Sequence, residues 1–162
     1  MTNIAQFYGN YVDLLTNQTI IGMKSVTTPT TANQIANKNY VDTAITKTVG
    51  LVLNGNGAVL TSGSKGFKEI DNNYIITGWT LYSDVSGNIS IDIKSCNYTT
   101  YPTTSIITGG NEPSLNNLIK NKDASLIGWV TNVSTGDLLE FVVDTSISNV
   151  TKIWLTLTLQ KR

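Results

Sequence analysis

From Gly66 onward the chain alternates apolar and polar positions with a period of two, the pattern of strands with one buried face. Five stretches carry it: 74–82, 88–96, 126–133, 138–144 and 150–160, all rich in β-branched and aromatic residues. In the second, Ile89, Ile91 and Ile93 oppose Ser90, Asp92 and Lys94. In the last, Ile153, Leu155, Leu157 and Leu159 oppose Lys152, Trp154, Thr156 and Thr158. Trp79 falls in step with Ile75 and Leu81, and Trp129 with Ile127 and Val133, so both tryptophans are expected in the core. Trp154 is expected on the outer face. Ser86-Gly87 predicts a tight turn between the first two strands, and Thr135-Gly136-Asp137 one between the third and fourth. A long Asn/Pro/Thr-rich crossover occupies 97–122. Strands, a long crossover and more strands together predict a mainly β fold whose C-terminal part is a jelly-roll-like antiparallel β-sandwich.

The first third of the chain has a different texture. The tetrapeptide Asn-Tyr-Val-Asp occurs at 10–13 and again at 39–42, and Thr19-Ile20 aligns with Thr48-Val49 when the copies are superposed. A short repeat buries little surface by itself and gains stability by stacking on neighbours or on other copies of the chain. Thr31 caps a predicted helix over 32–47, with Ile35, Val41, Ala44 and Ile45 as its apolar stripe. Val41, Ala44, Thr48 and Leu51 approximate a heptad seam, short for a lone coiled coil but long enough to seed a bundle beneath a larger domain. Three regions result: a stalk or attachment arm over 1–54, a Gly/Ser/Asn-rich linker over 55–66, and a head domain over 67–162.

Composition narrows the chemistry. Eleven basic residues balance eleven acidic ones, only 14% of positions are charged, and no basic stripe marks a nucleic-acid binder. No apolar run approaches the length of a membrane span, and the N-terminus lacks the basic and apolar regions of a secretion signal, so synthesis in a cytoplasm is expected. The single cysteine, Cys96, excludes an internal disulfide framework, and the absence of histidine removes the usual general base near neutral pH.

The carboxylates Glu69, Asp71, Asp84, Asp92, Glu112, Asp137, Glu140 and Asp144 mostly fall beside turns or on outward strand faces, where solvated groups are expected. No glycosidase pair, nucleophilic triad, phosphate-binding glycine motif or metal-ligand spacing stands out. No catalytic residue, metal site or cofactor is therefore expected. Tyr98 and Tyr101, on the crossover ahead of Pro102, are the candidate ligand contacts, offering flat faces to sugar rings. An outward aromatic on a strand commonly packs on a partner chain, which makes Trp154 a subunit-interface candidate beside Val41, Ala44, Thr48 and Leu51.

Two stretches carry a family resemblance. Within 16–42, Gln-Thr-Ile-x-Gly-x-Lys, a proline and Ala-Asn-x-Ile-Ala-x-Lys-x-Tyr-Val-Asp resemble repeats of bacteriophage tail fibres and related virion proteins. Within 76–162, Ile-Thr-Gly-Trp-Thr-Leu, Ser-Gly-Asn-Ile-Ser-Ile-Asp-Ile, Tyr101-Pro102, Gly128-Trp129, Gly-Asp-Leu-Leu-Glu-Phe-Val-Val-Asp and the closing strand resemble a β domain that ends many phage structural proteins. The resemblance implies a homotrimeric fibre on the virion surface, a head fibre or short tail fibre. Its N-terminal region would attach to capsid or tail proteins, and its head would point toward host polysaccharide. The alternative is a monomeric carbohydrate-binding β-sandwich module.

Overall fold

The organising element is one very long strand, β3 (Tyr74–Cys96), which carries pairing partners along its whole length. The computed structural model describes residues 46–162. Around β3 stand β1 (Thr46–Asn54), β2 (Gly63–Glu69), β4 (Thr104–Ser105), β5 (Ser114–Asp123), β6 (Asn132–Val133), β7 (Leu138–Val143) and β8 (Lys152–Lys161). Every pairing is antiparallel, and the main path runs β1-β8-β3-β7-β2. The first half of β3 pairs with β8 and β6, its second half with β7 and β4, and β5 runs along both from Trp79 to Ser90.

This corrects the expected fold. The β content and antiparallel order stand, but the two halves are not separate leaves of a jelly-roll-like sandwich. They form one eight-stranded sheet curled into a half-barrel, because β3 passes through both. Ser86-Gly87 is not a hairpin turn either. Leu81, Ser83, Gly87, Ile89, Ile91 and Ile93 are all buried odd-numbered positions, with Val85 exposed at the bend between them, so the same parity resumes beyond the dipeptide. A two-residue loop would have sent the chain back on itself; here it only bends and changes partner, from Ile153 opposite Ser83 to Val143 opposite Ile91.

The expected helix fails where it can be checked. No helix occurs among the described residues, and Thr46-Lys47, its final two positions, open β1. The segment Thr-Lys-Thr-Val-Gly-Leu-Val-Leu-Asn is β-branched and alternates, with Val49 buried and Leu51 and Leu53 half-buried between exposed neighbours. Thr48 and Leu51 consequently point to opposite faces of the sheet and share no seam. Val41 and Ala44 lie outside the described residues. Positions 55–66 run from the end of β1 into β2, and Leu60 among them is buried in the core.

Two further departures have local causes. The expected strand over 126–133 shrinks to β6, because Leu126 and Gly128 take left-handed backbone angles (φ 49° and 79°). Asp123 holds this turn: its carboxylate accepts from the Ser125 amide (2.9 Å), the Ser125 hydroxyl (2.7 Å) and the Leu126 amide (3.0 Å). Ile127 is therefore exposed, while Trp129 is only partly buried against the core, its Nε1 donating to the Asn111 carbonyl at 3.1 Å. Trp79 is buried as expected, but a bulge between Ile76 and Gly78 shifts the register, so Ile76 shares its face and Ile75 does not.

The core fills the inside of the curl, with Leu81, Ile91, Ile93, Leu139, Phe141, Ile153, Leu155 and Leu157 almost wholly removed from water. The bend in β3 is fastened by Asp84. Its carboxylate accepts from the Lys152 amide (2.9 Å), the Thr151 amide and the Thr151 hydroxyl, tying β3 to the start of β8. These bonds, the Thr151 hydroxyl foremost, lower the Asp84 pKa from 3.8 to about 2. A carboxyl whose folded pKa lies below its unfolded one stabilises the fold above the unfolded value and loses that contribution as pH falls through the folded value. Wild type should therefore lose melting temperature between pH 4 and pH 2, and Asp84→Asn should lose less over the same window; equal slopes in thermal melts would count against the clamp.

Candidate functional site

The outer face of the β1–β8–β3 half carries the residue singled out as an interface candidate. Trp154 on β8 is 40% exposed, and the strand register sets Val52 of β1 opposite it on one side and Tyr82 of β3 on the other. Val52 and Tyr82 are themselves 61% and 49% exposed. Directly across from Tyr82 lies Lys120 of β5, and Lys122 faces Thr80 one row along. Lys152 brings its ammonium 5.6 Å from the Trp154 ring centroid, a cation–π contact. A transverse row of valine, tryptophan and tyrosine thus crosses three adjacent strands, flanked by lysines and threonines. Thr48 shares this face on β1, opposite Thr158 and two rows beyond the aromatic one.

Tyr98 and Tyr101 lie elsewhere. Both border a cleft of about 550 Å³ on the β2–β7–β3 half, together with Glu69, Cys96, Asn97, Gly136 and Leu138. The Asn97 side chain shapes the tip of the loop: its Oδ1 accepts from the amides of Thr99 (3.0 Å) and Thr100 (2.9 Å) and from the Thr99 hydroxyl. Tyr98 consequently stands almost wholly in solvent, and Tyr101 is two-thirds exposed. The loop's far end is tied down where the Thr103 hydroxyl donates to Glu140. Hydrogen bonds from Ser64 and then Thr103, with Lys94 nearby, hold the Glu140 pKa below the ordinary carboxylate value.

The other carboxylates scatter. Asp92, Glu112 and Asp144 line a second depression of about 470 Å³ with Ser90, Lys94 and Val142. Asp92 accepts from the Ser105 hydroxyl at 2.6 Å, and Asp144 from the Thr145 amide at 2.6 Å. No set of three His, Cys, Asp or Glu side chains among the described residues is placed to hold a metal ion. Asp71 is engaged in an ion pair with Lys47, which also approaches the Tyr74 ring at 5.8 Å. Cys96 is a buried free thiol. No protein-family model matches the chain, and no curated protein or solved structure matches it.

Sequence reasoning had picked Trp154 without Tyr82, Val52 or the lysines beside it. Tyr82 and Lys152 occupy even positions on alternating strands, so their outward direction is legible; Val52 falls in the expected stalk and Lys120 and Lys122 in the expected crossover, and only the strand pairing sets them beside Trp154. Glu69 and Leu138 joined Tyr98 and Tyr101 only through the pairing of β2 with β7 and β7 with β3.

Proposed function

We propose that the chain is a non-enzymatic structural and attachment protein, a short homotrimeric fibre component displayed on a phage particle. The uncovered row Val52–Trp154–Tyr82 carries this reading. A tryptophan and a tyrosine adjacent on a regular sheet face are the residue types that dominate subunit contacts when a partner covers them. The resemblance of 16–42 to fibre repeats supplies the virion setting and the reason for a shared stalk. Three identical heads on one stalk multiply weak surface contacts without any gain in single-site affinity.

Native mass by light scattering during gel filtration tests it. The full-length chain should run at three times its 17.6 kDa chain mass. Trp154→Ala should weaken assembly by about 2 kcal/mol or more per contact, roughly thirtyfold in dissociation constant. A wild-type monomer at micromolar concentration would remove the fibre reading.

One observation favours a second reading, a monomeric carbohydrate-binding module: the Tyr98–Tyr101 cleft has exposed aromatic faces beside Glu69 and Asn97. That reading expects glycan-array binding that is lost in Tyr98→Ala or Tyr101→Ala, with monomeric mass throughout.

A further inference from the structure

The chain carries no net charge, yet the curled sheet sorts its charges by face. Around Trp154 and Tyr82 stand Lys120, Lys122 and Lys152. Asp84 beside them stays ionised, its oxygens taken up by Thr151 and the Lys152 amide, which leaves the three lysines in excess. The outer face of the other half is acidic. Asp92, Glu112 and Asp144 line its depression with Lys94, Lys65 donates to the carbonyl of Ser62 in the same lining, and Glu140 and Glu69 follow on the neighbouring rows, so carboxylates outnumber ammonium groups there. This face has its own exposed aromatic, Phe67, opposite Glu140 and 52% exposed.

Both faces turn away from the same core, and β3 contributes to both, with Tyr82 on one and Asp92 on the other. They cannot meet within one chain. We propose that copies of this chain dock head to tail, the lysine-ringed Trp154–Tyr82 face of one subunit on the acidic Phe67 face of the next. This inference rests on the self-assembling reading above and names its contact surface. Like-on-like docking would set lysines against lysines and carboxylates against carboxylates, an arrangement that electrostatic complementarity disfavours. Opposite faces bring exposed aromatics together with charges of opposite sign, residue types that specific interfaces use. A contact between two different patches is heterologous, and it closes into a ring when the rotation between subunits allows. A trimer of that kind leaves no copy of either face uncovered.

Charge reversal on each face, read by native mass over a concentration series, tests the proposal in the full-length chain. Lys120→Glu with Lys122→Glu should raise the dissociation constant at least tenfold, and so should Glu112→Lys with Asp144→Lys. All four substitutions in one chain should restore assembly, because the faces are again complementary, as should an equimolar mixture of the two double variants in part. Raising salt toward 1 M, where charges are screened within about 3 Å, should weaken wild type and the fourfold variant alike. Circular dichroism and a thermal melt on each variant establish that it is folded before its mass is interpreted. A wild-type trimer unmoved by either reversal would overturn the proposal and leave the self-assembling reading standing. Two weakening reversals that do not rescue one another would overturn the pairing of these faces. A monomeric wild type would remove both readings.

Discussion

Phe141→Ala is expected to destabilise the fold by about 3–5 kcal/mol, measured as a lower urea midpoint with little change in slope. Phe141 is 1% exposed at the centre of β7. Its strand pairs with Ile93 of β3 on one side and Gly66 of β2 on the other. Truncation there loses the transfer free energy of the ring and leaves a cavity that flanking strands cannot collapse into, because both are fixed by ladder bonds. Against a whole-domain stability of about 5–15 kcal/mol, a loss of that size leaves a measurably unfolded fraction. Val142→Ala, one residue along on the outer face, should cost far less. Equal losses at both positions would contradict the assignment of the core to the inside of the curl.

The second large effect is expected at Gly87, where the chain tolerates no side chain. A Cβ built there would overlap the Ser148 carbonyl oxygen and sit 2.8 Å from Val150 Cγ2. The opposing atom is backbone, in a segment held by the Asn88–Ser148 bridge and by the Asn88 side chain on the Ser148 hydroxyl at 3.0 Å. Relief would have to move the approach to β8. Gly87→Val should therefore reach or exceed the upper end of the usual overpacking cost of about 1–3 kcal/mol. Val85→Ala, on an exposed side chain two positions earlier, serves as the control and should change stability by about 0.5 kcal/mol or less. Comparable melting temperatures for Gly87→Val and wild type would mean that the bend of β3 does not pass beneath residues 148–150.

Local alternation made several parts of this molecule legible. The closing strand, the second half of β3 and β7 were read to within a residue or two, because their inward faces are nearly pure Ile, Leu, Val and Phe and their outward faces polar. β5 was hidden. Its sequence, Ser-Leu-Asn-Asn-Leu-Ile-Lys-Asn-Lys-Asp, has weak strand propensity and only Leu115 buried, and it becomes a strand because β3 offers it an open edge. The start of β1 overlaps the expected helix at Thr46-Lys47, and the heptad spacing of Thr48 and Leu51 placed the rest of it in a stalk. In the structure it alternates as a strand does, with Val49 buried between exposed neighbours. The 126–133 segment failed for a different reason: apolar residues were counted while Asp123, Ser125 and Gly128 spelled a turn.

The candidate surfaces divide in the same way. That Trp154, Tyr98 and Tyr101 face solvent followed from parity and from loop position. Sequence alone settled which side chains point inward along the second half of β3, β7 and β8, since a period of two needs only neighbours in the chain; the bulge at Ile76–Gly78 and the turn at 123–128 were beyond it. It also settled the lack of a histidine base and the even balance of charge. Tertiary structure decided which strands lie side by side, that one strand runs where a hairpin was expected, that Lys120, Lys122 and Lys152 stand beside Trp154 and Tyr82, and that Asp92, Glu112 and Asp144 line one depression. The reason is physical: alternation is a local steric property, whereas sheet order follows from burying every apolar face at once in a shared core.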